Sequence, residues 1–257
     1  STAALMAMVS SIATAAFAEK YDLNTGSVTV ETKDNGTTYV TQENTDIKVR
    51  PDTTGVTITS DGRQTSNTIT VETAKDQTTN VTLQNVFINR EWASDSDAKA
   101  ALTVKGDGDT NIELNGNNTL ASTDAHAGLE KTDAECSGTL TITDDKNDNG
   151  SEKEEKDKYG YSTGGDTGTL AVVGGGDGGA GIGGRKKKDG EESDACASTS
   201  DITITGGQIK AGSLIETKEE YHQPEYSGAG IGGATGHGNA TNITITGNAD
   251  VSAAGGY

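Results

Sequence analysis

The run Asp145-Lys146-Asn147-Asp148-Asn149-Gly150 carries oxygen side chains at alternate positions and a glycine at the turn. Calcium is a hard cation that takes carboxylate, amide and carbonyl oxygens, so Asp145, Asn147 and Asn149 are candidate metal ligands. A helical EF-hand also needs a bidentate Glu six residues beyond the glycine; Lys156 stands there, with Glu155 one place early. That departure removes the EF-hand. Two readings stay open: a looser Asp/Asn cage, or a solvated polar turn that opens the charged run from Ser151 to Lys158. Asp107 and Asp109, in Gly-Asp-Gly-Asp, form a lesser candidate of the same kind.

Aromatic side chains form a second set. Trp92, Tyr159, Tyr161, Tyr221 and Tyr226 fall in long polar segments between alternating runs. Sugar rings present C–H faces that pack on aromatic planes, so these five are candidate carbohydrate contacts; the plainer reading is that they cover the flank of the scaffold. Arg185-Lys186-Lys187-Lys188 could clasp an anion, but Asp189, Glu191, Glu192 and Asp194 follow at once, and a self-neutralising loop is the simpler account. No catalytic spacing is legible. His126, His222 and His237 are scattered, and Arg50, Arg63, Arg90 and Arg185 all lie off the repeated strands, so no catalytic residue is expected.

Cys136 lies four residues before Leu140, and Cys196 six before Ile202. Both precede equivalent strands of successive repeats, which predicts a structural disulfide between them; the alternative is two thiols in loops.

The elements that position these groups come from a thin apolar inventory. The 257 residues include 35 Gly, one Trp and two Phe, and the formal net charge is -19. An aromatic-centred core is excluded, and so is nucleic acid, whose phosphates need clustered Lys and Arg. Residues 1–18 are uncharged and end in Ala16-Phe17-Ala18, the form of a signal-peptidase site, so they read as a leader entered partway. The stretch is too short and too rich in Ser and Thr for a membrane span. The chain stops at Gly255-Gly256-Tyr257, partway through a repeat, which reads as a truncated C-terminus.

Internal repetition dominates the remainder. Gly179-Ala-Gly-Ile-Gly-Gly184 is followed by Asp201-Ile-Thr-Ile-Thr205 and Gln208-Ile-Lys-Ala211. Gly228-Ala-Gly-Ile-Gly-Gly233 is followed by Asn242-Ile-Thr-Ile-Thr246 and Val251-Ser-Ala253. Looser copies lie at Ala127/Leu129 with Leu140/Ile142 and Leu170/Val172, at Ala100/Leu102 with Ile112/Leu114 and Leu120, and at Val81/Leu83 with Val86/Ile88. Each copy holds three short segments alternating with period two, which is a strand signal. The expected fold is all-β: a right-handed parallel β-helix, a β-solenoid of three strands per coil, with coils ~4.8 Å apart and long inserts at the corners. Residues 19–66 are expected to form the first strands and an N-terminal cap, and 67–257 the repeats. Outward threonines at 141/143, 203/205 and 244/246 resemble an ice-binding array, interrupted by Glu113, Gln84 and Asn115.

From Asn67-Thr-Ile-Thr-Val71 through Asn117-Asn-Thr-Leu120 to the Gly-Ala-Gly-Ile-Gly-Gly copies, the chain resembles the secreted bacterial carbohydrate-binding right-handed β-helix proteins, which are related in architecture to pectate lyases. The resemblance covers residues 67–257 and rests on scaffold motifs, so it transfers no ligand-contacting residue. It implies a secreted or cell-surface bacterial protein, Gram-positive in type, that binds acidic polysaccharide or a surface glycan with calcium. A monomer is expected, with no membrane span and no nucleic acid. The alternatives are a structural stalk displaying other domains and, behind it, a polysaccharide lyase.

Overall fold

The computed structural model of the chain describes residues 19–45, 50–52, 55–90, 98–147, 151–153, 165–187, 193–212, 228–236 and 238–255. The protein is all-β, built on three long sheets in which nearly every pairing is parallel. Strands are numbered along the chain. Sheet A runs β1 (Glu19–Asp22), β5 (Val56–Thr59), β8 (Thr78–Gln84), β11 (Asp109–Asn115), β14 (Leu140–Thr143), β17 (Thr199–Ile204) and β20 (Ala240–Ile245). Sheet B begins with the antiparallel strands β4 (Arg50–Asp52) and β3 (Thr38–Gln42). It continues in parallel through β2 (Val28–Thr32), β7 (Ile69–Thr73), β10 (Leu102–Lys105), β13 (Leu129–Glu130), β16 (Ile182–Gly183) and β19 (Ile231–Gly232). Sheet C runs β6 (Gln64–Thr65), β9 (Phe87–Asn89), β12 (Asn117–Ala121), β15 (Thr169–Val173), β18 (Gln208–Gly212) and β21 (Asp250–Ala254). From β5 onward the chain visits A, C and B in unbroken rotation, and each successive set of three strands, one per sheet, is termed a rung below. Among the described residues no helix is long and apolar enough to cross a membrane.

Alternation along each strand sends one set of side chains to a shared interior. Val56, Val81, Ile112, Ile142, Ile204 and Ile245 pair successively down sheet A. Ile69, Leu102, Leu129, Ile182 and Ile231 do so in sheet B, and Ile88, Leu120, Val172, Ala211 and Ala253 in sheet C. A fully buried side chain such as Ile112 contributes about 1.5–3 kcal/mol, and many small columns replace one large aromatic core.

One column departs from the sequence alignment by two residues. Aligning apolar pairs places Ile112 beside Leu140; the structure pairs Ile112 with Ile142, and Leu140 with Thr110. Thr110 is inward because its hydroxyl belongs to a buried chain. Thr73 donates to Thr79 (2.7 Å), Thr79 donates to Thr32 (2.6 Å), and Thr73 and Thr32 meet Thr110 (3.1 Å) and Thr38 (2.9 Å). With the protons of Thr73 and Thr79 spent, Thr110 must donate to Thr73, so the bonds run one way from Thr110 through Thr73 and Thr79 to Thr32, while between Thr32 and Thr38 either hydroxyl can donate. This hydroxyl chain laces the ends of β2 and β7 to the starts of β8 and β11.

Candidate functional site

The connection from β14 to β15 carries a buried ion pair beside a carboxylate that takes three donors. Glu113, outward on β11, accepts three bonds from the strand above it and the turn that follows: the Thr143 hydroxyl, Asp145 N–H (3.2 Å) and Lys146 N–H (2.7 Å). Partial burial pushes its carboxyl above the ordinary glutamate range, more than those three donors and the neighbouring Asp144 charge alter. Asp144 continues the inward alternation of Leu140 and Ile142. Its carboxylate meets Lys153 Nζ at 2.7 Å, with the two side chains 2% and 3% exposed. Desolvation pushes Asp144 up, and the Lys153 ammonium opposes it.

Between these anchors the chain turns back on itself. Lys153 N–H donates to Asp145 C=O (3.0 Å), Asn147 N–H donates to Ser151 C=O (2.8 Å), and Lys146 bridges Glu152 in antiparallel sense. Asp145 and Asn147 therefore lie on one arm of this return, facing Lys153 and Ser151 across it. The Asn147 amide is engaged, its Nδ2 donating to Ser151 Oγ at 3.1 Å. Asn149 lies outside the described residues. Among the described residues no group of three His, Cys, Asp or Glu is placed to hold a metal. Asp107 and Asp109 each accept one bond through Oδ1, from Ser137 Oγ (2.7 Å) and Thr139 N–H (2.9 Å).

All five candidate carbohydrate residues, Trp92, Tyr159, Tyr161, Tyr221 and Tyr226, lie outside the described residues. Their inserts are nonetheless located by the strands that bound them. The insert bearing Trp92 leaves β9 and the one bearing Tyr221 and Tyr226 leaves β18, both in connections from sheet C to sheet B, three rungs apart. The insert bearing Tyr159 and Tyr161 springs from the Asp144–Lys153 turn. The basic run is matched by its own surroundings: Lys186 pairs with Asp177 (3.2 Å) and Lys187 with Asp194 (2.9 Å). Lys188 lies outside the described residues. Outward threonines do stand in register, Thr141 beside Thr203 beside Thr244, but Asn111 and Asn80 continue that column.

The predicted disulfide is not formed. Cys136 and Cys196 are both buried thiols, and the unequal spacing that preceded their strands is the reason. Leu140 pairs with Ile202, so a thiol four residues before one and a thiol six before the other are offset by two positions. Backbone bonds from Ala134 to Ala195 (3.2 Å) and from Asp133 to Ser198 (3.0 Å) put Ala134, not Cys136, beside the Cys196 segment. Cys136 instead bridges Gly106 and points its Sγ at Gly138 C=O (3.7 Å), while Cys196 closes the 3-10 turn Asp194–Cys196 with its Sγ toward Ser193 C=O (3.5 Å). Burial pushes the Cys136 thiol up, away from the reactive thiolate.

Two buried polar groups escaped the sequence reading. His126 Nδ1 sits 2.8 Å from Glu130 Oε2, with side chains 12% and 6% exposed. Lys131 is fully buried, its ammonium donating to Ser200 C=O (2.7 Å) and Cys136 C=O (3.5 Å). Lys131 had a signal: period two carries Ala127 and Leu129 on to 131. His126 and Glu130 had none beyond a four-residue spacing outside any helix.

No protein-family model matches the chain, and comparison with curated proteins and with solved structures finds no match.

Proposed function

We propose that the chain is a right-handed parallel β-helix, three strands to a coil, acting at a bacterial surface as a calcium-assisted module that binds or adheres to acidic polysaccharide. The rotation of the chain through three parallel sheets supports the architecture, and parallel crossovers carry a strong right-handed bias. The observation that carries the binding role is the shared origin of the Trp92 and Tyr221/Tyr226 inserts. Leaving equivalent connections three rungs apart, they are separated by about 14 Å along the stack, a span that suits an extended glycan. Calcium enters because the protein and its ligand are both anionic. A chain of net charge -19 repels a polyuronate unless a divalent cation stands between them. Asp145, Asn147 and Asn149 are the residues assigned to it.

A structural stalk is the second reading. It is favoured by the ion pairs that neutralise Lys186 and Lys187. Affinity electrophoresis through gels containing pectic and other acidic polysaccharides separates the two. Retardation that calcium supports and a chelator abolishes is the result expected of the binding module. Unretarded migration in every gel overturns it in favour of the stalk, and shortening of the polysaccharide in the gel would instead reveal a lyase.

A further inference from the structure

Asp144 and Lys153 are buried charges that carbohydrate binding leaves unused. By continuation of the Glu113–Thr143 pairing, Asp144 occupies the place above Leu114 in an otherwise apolar column. A Cβ built on Gly207 would stand 2.9 Å from Leu114 Cδ1 and 3.5 Å from Asp144 Cβ, so all three share one packed space. Lys153 Nζ reaches Asp144 Oδ2 at 2.7 Å, and the side chains are 3% and 2% exposed. The other carboxyl oxygen, Oδ1, is buried with no hydrogen-bond partner.

Besides Lys153, the Asp144 carboxylate is supported by the Gly168 backbone N–H, and Oδ1 is left short of a full set of partners. Each ion loses several kcal/mol of hydration, and attraction between them repays it only when the remaining lone pairs are satisfied. In the step itself one proton passes from Nζ to the carboxylate oxygen it touches, so the atoms brought together are an amine nitrogen and a carboxyl carbon. Those are the two halves of an amide, held in contact where water is excluded and where proximity replaces a large part of the entropic barrier.

We propose that Lys153 and Asp144 join in an intramolecular isopeptide crosslink. The Nζ lone pair attacks Asp144 Cγ, a C–N bond forms, and the C–OH bond breaks. The hydroxyl departs with one amine hydrogen as water. Nothing is oxidised or reduced. The product removes both buried charges and closes the turn that carries Asp145 and Asn147 onto the end of β14. This proposal is independent of any glycan.

The test is the intact mass of the full chain, weighed after far-UV circular dichroism has shown it folded. The expected mass is one water below that of the sequence. Trypsin cutting after Lys146 should then leave the pieces bearing Asp144 and Lys153 joined, with no cut after Lys153. Full sequence mass for the folded chain, or separation of the two pieces, overturns the proposal. Lys153→Arg should restore the full mass. A water loss that persists in Lys153→Arg would have come from another reaction, such as imide closure at an aspartate, and would also overturn it. If that variant does not fold, the joined peptides from the unaltered chain decide the matter alone.

Discussion

The two ends of the stack are built on one plan and held together differently. Toward the N-terminus, sheet B strands are four or five residues long (β2, β7, β10), and their ends are tied to sheet A by the one-way chain of threonine hydroxyls. Toward the C-terminus the sheet B strands shrink to two residues (β13, β16, β19), and hydroxyls give way to glycines pressed against neighbouring backbone. Gly181 shows the second device: a Cβ there would stand 2.5 Å from Gly230 O and 2.6 Å from Gly212 N. The buried hydroxyl chain is confined to the first half; close-packed glycines such as Gly181 are concentrated in the second, beside cross-rung bonds such as Ser200 Oγ to Asp133 (2.8 Å). Three of the four long inserts lie in the second half; the one bearing Trp92, between β9 and β10, lies in the first.

This contrast can be broken from either side. The largest effect is expected from Gly181→Val, which must push two backbone segments apart; a loss of about 3 kcal/mol should appear as a lowered urea midpoint. Thr79→Val comes next. It keeps the shape but strands the Thr73 donor and removes the bond to Thr32, at a cost of about 1–3 kcal/mol. If Thr79→Val proved neutral while Gly181→Val did not, the hydroxyl chain would be ornament and the comparison would fail.

A smaller effect concerns Glu113, where the two halves meet. Its carboxyl is raised above the ordinary value of 4.5 by burial, so the folded state binds its proton more tightly than the unfolded chain does. The stability linked to it is fully present below the unfolded value and is lost as pH rises through the raised one. Denaturant midpoints measured across that interval should fall with rising pH from this group, and Glu113→Gln should remove that component. The smallest expected effect is none: a reductant should leave the unfolding midpoint unchanged, because Cys136 and Cys196 are not joined. A midpoint lowered by reductant would restore the disulfide.

Much of the scaffold was legible because alternation is a local property. Every strand pairing in the later rungs follows from apolar residues two apart. Register was legible only where both partners looked apolar. Between β11 and β14 the inward positions include Thr110 and Asp144, so aligning hydrophobic pairs slipped by two. The same slip hid the buried acid, although Leu140-x-Ile142-x-Asp144 keeps the period. Inward threonines were illegible for another reason: Thr is equally at home facing water on a strand, and Thr73 and Thr110, 37 positions apart, meet only because the chain returns to the next rung. For the candidate site, the sequence shows Asp145 and Asn147 in one short polar segment, and the structure places both on one arm of its return. The anchor of that segment on Glu113 was not readable, since the partners lie about thirty residues apart and no motif links them.

The rotation through three sheets makes the molecule a graduated scale. Anything emitted from one kind of connection is separated from its counterpart by whole divisions of about 4.8 Å, and intermediate distances are unavailable. Doubling the length of an insert costs only about 0.6 kcal/mol of closure entropy, so the tips can diverge freely while their bases stay on the marks. Spacing and content are thereby inherited separately: substitutions within inserts change what is presented, and only gain or loss of a whole rung changes how far apart.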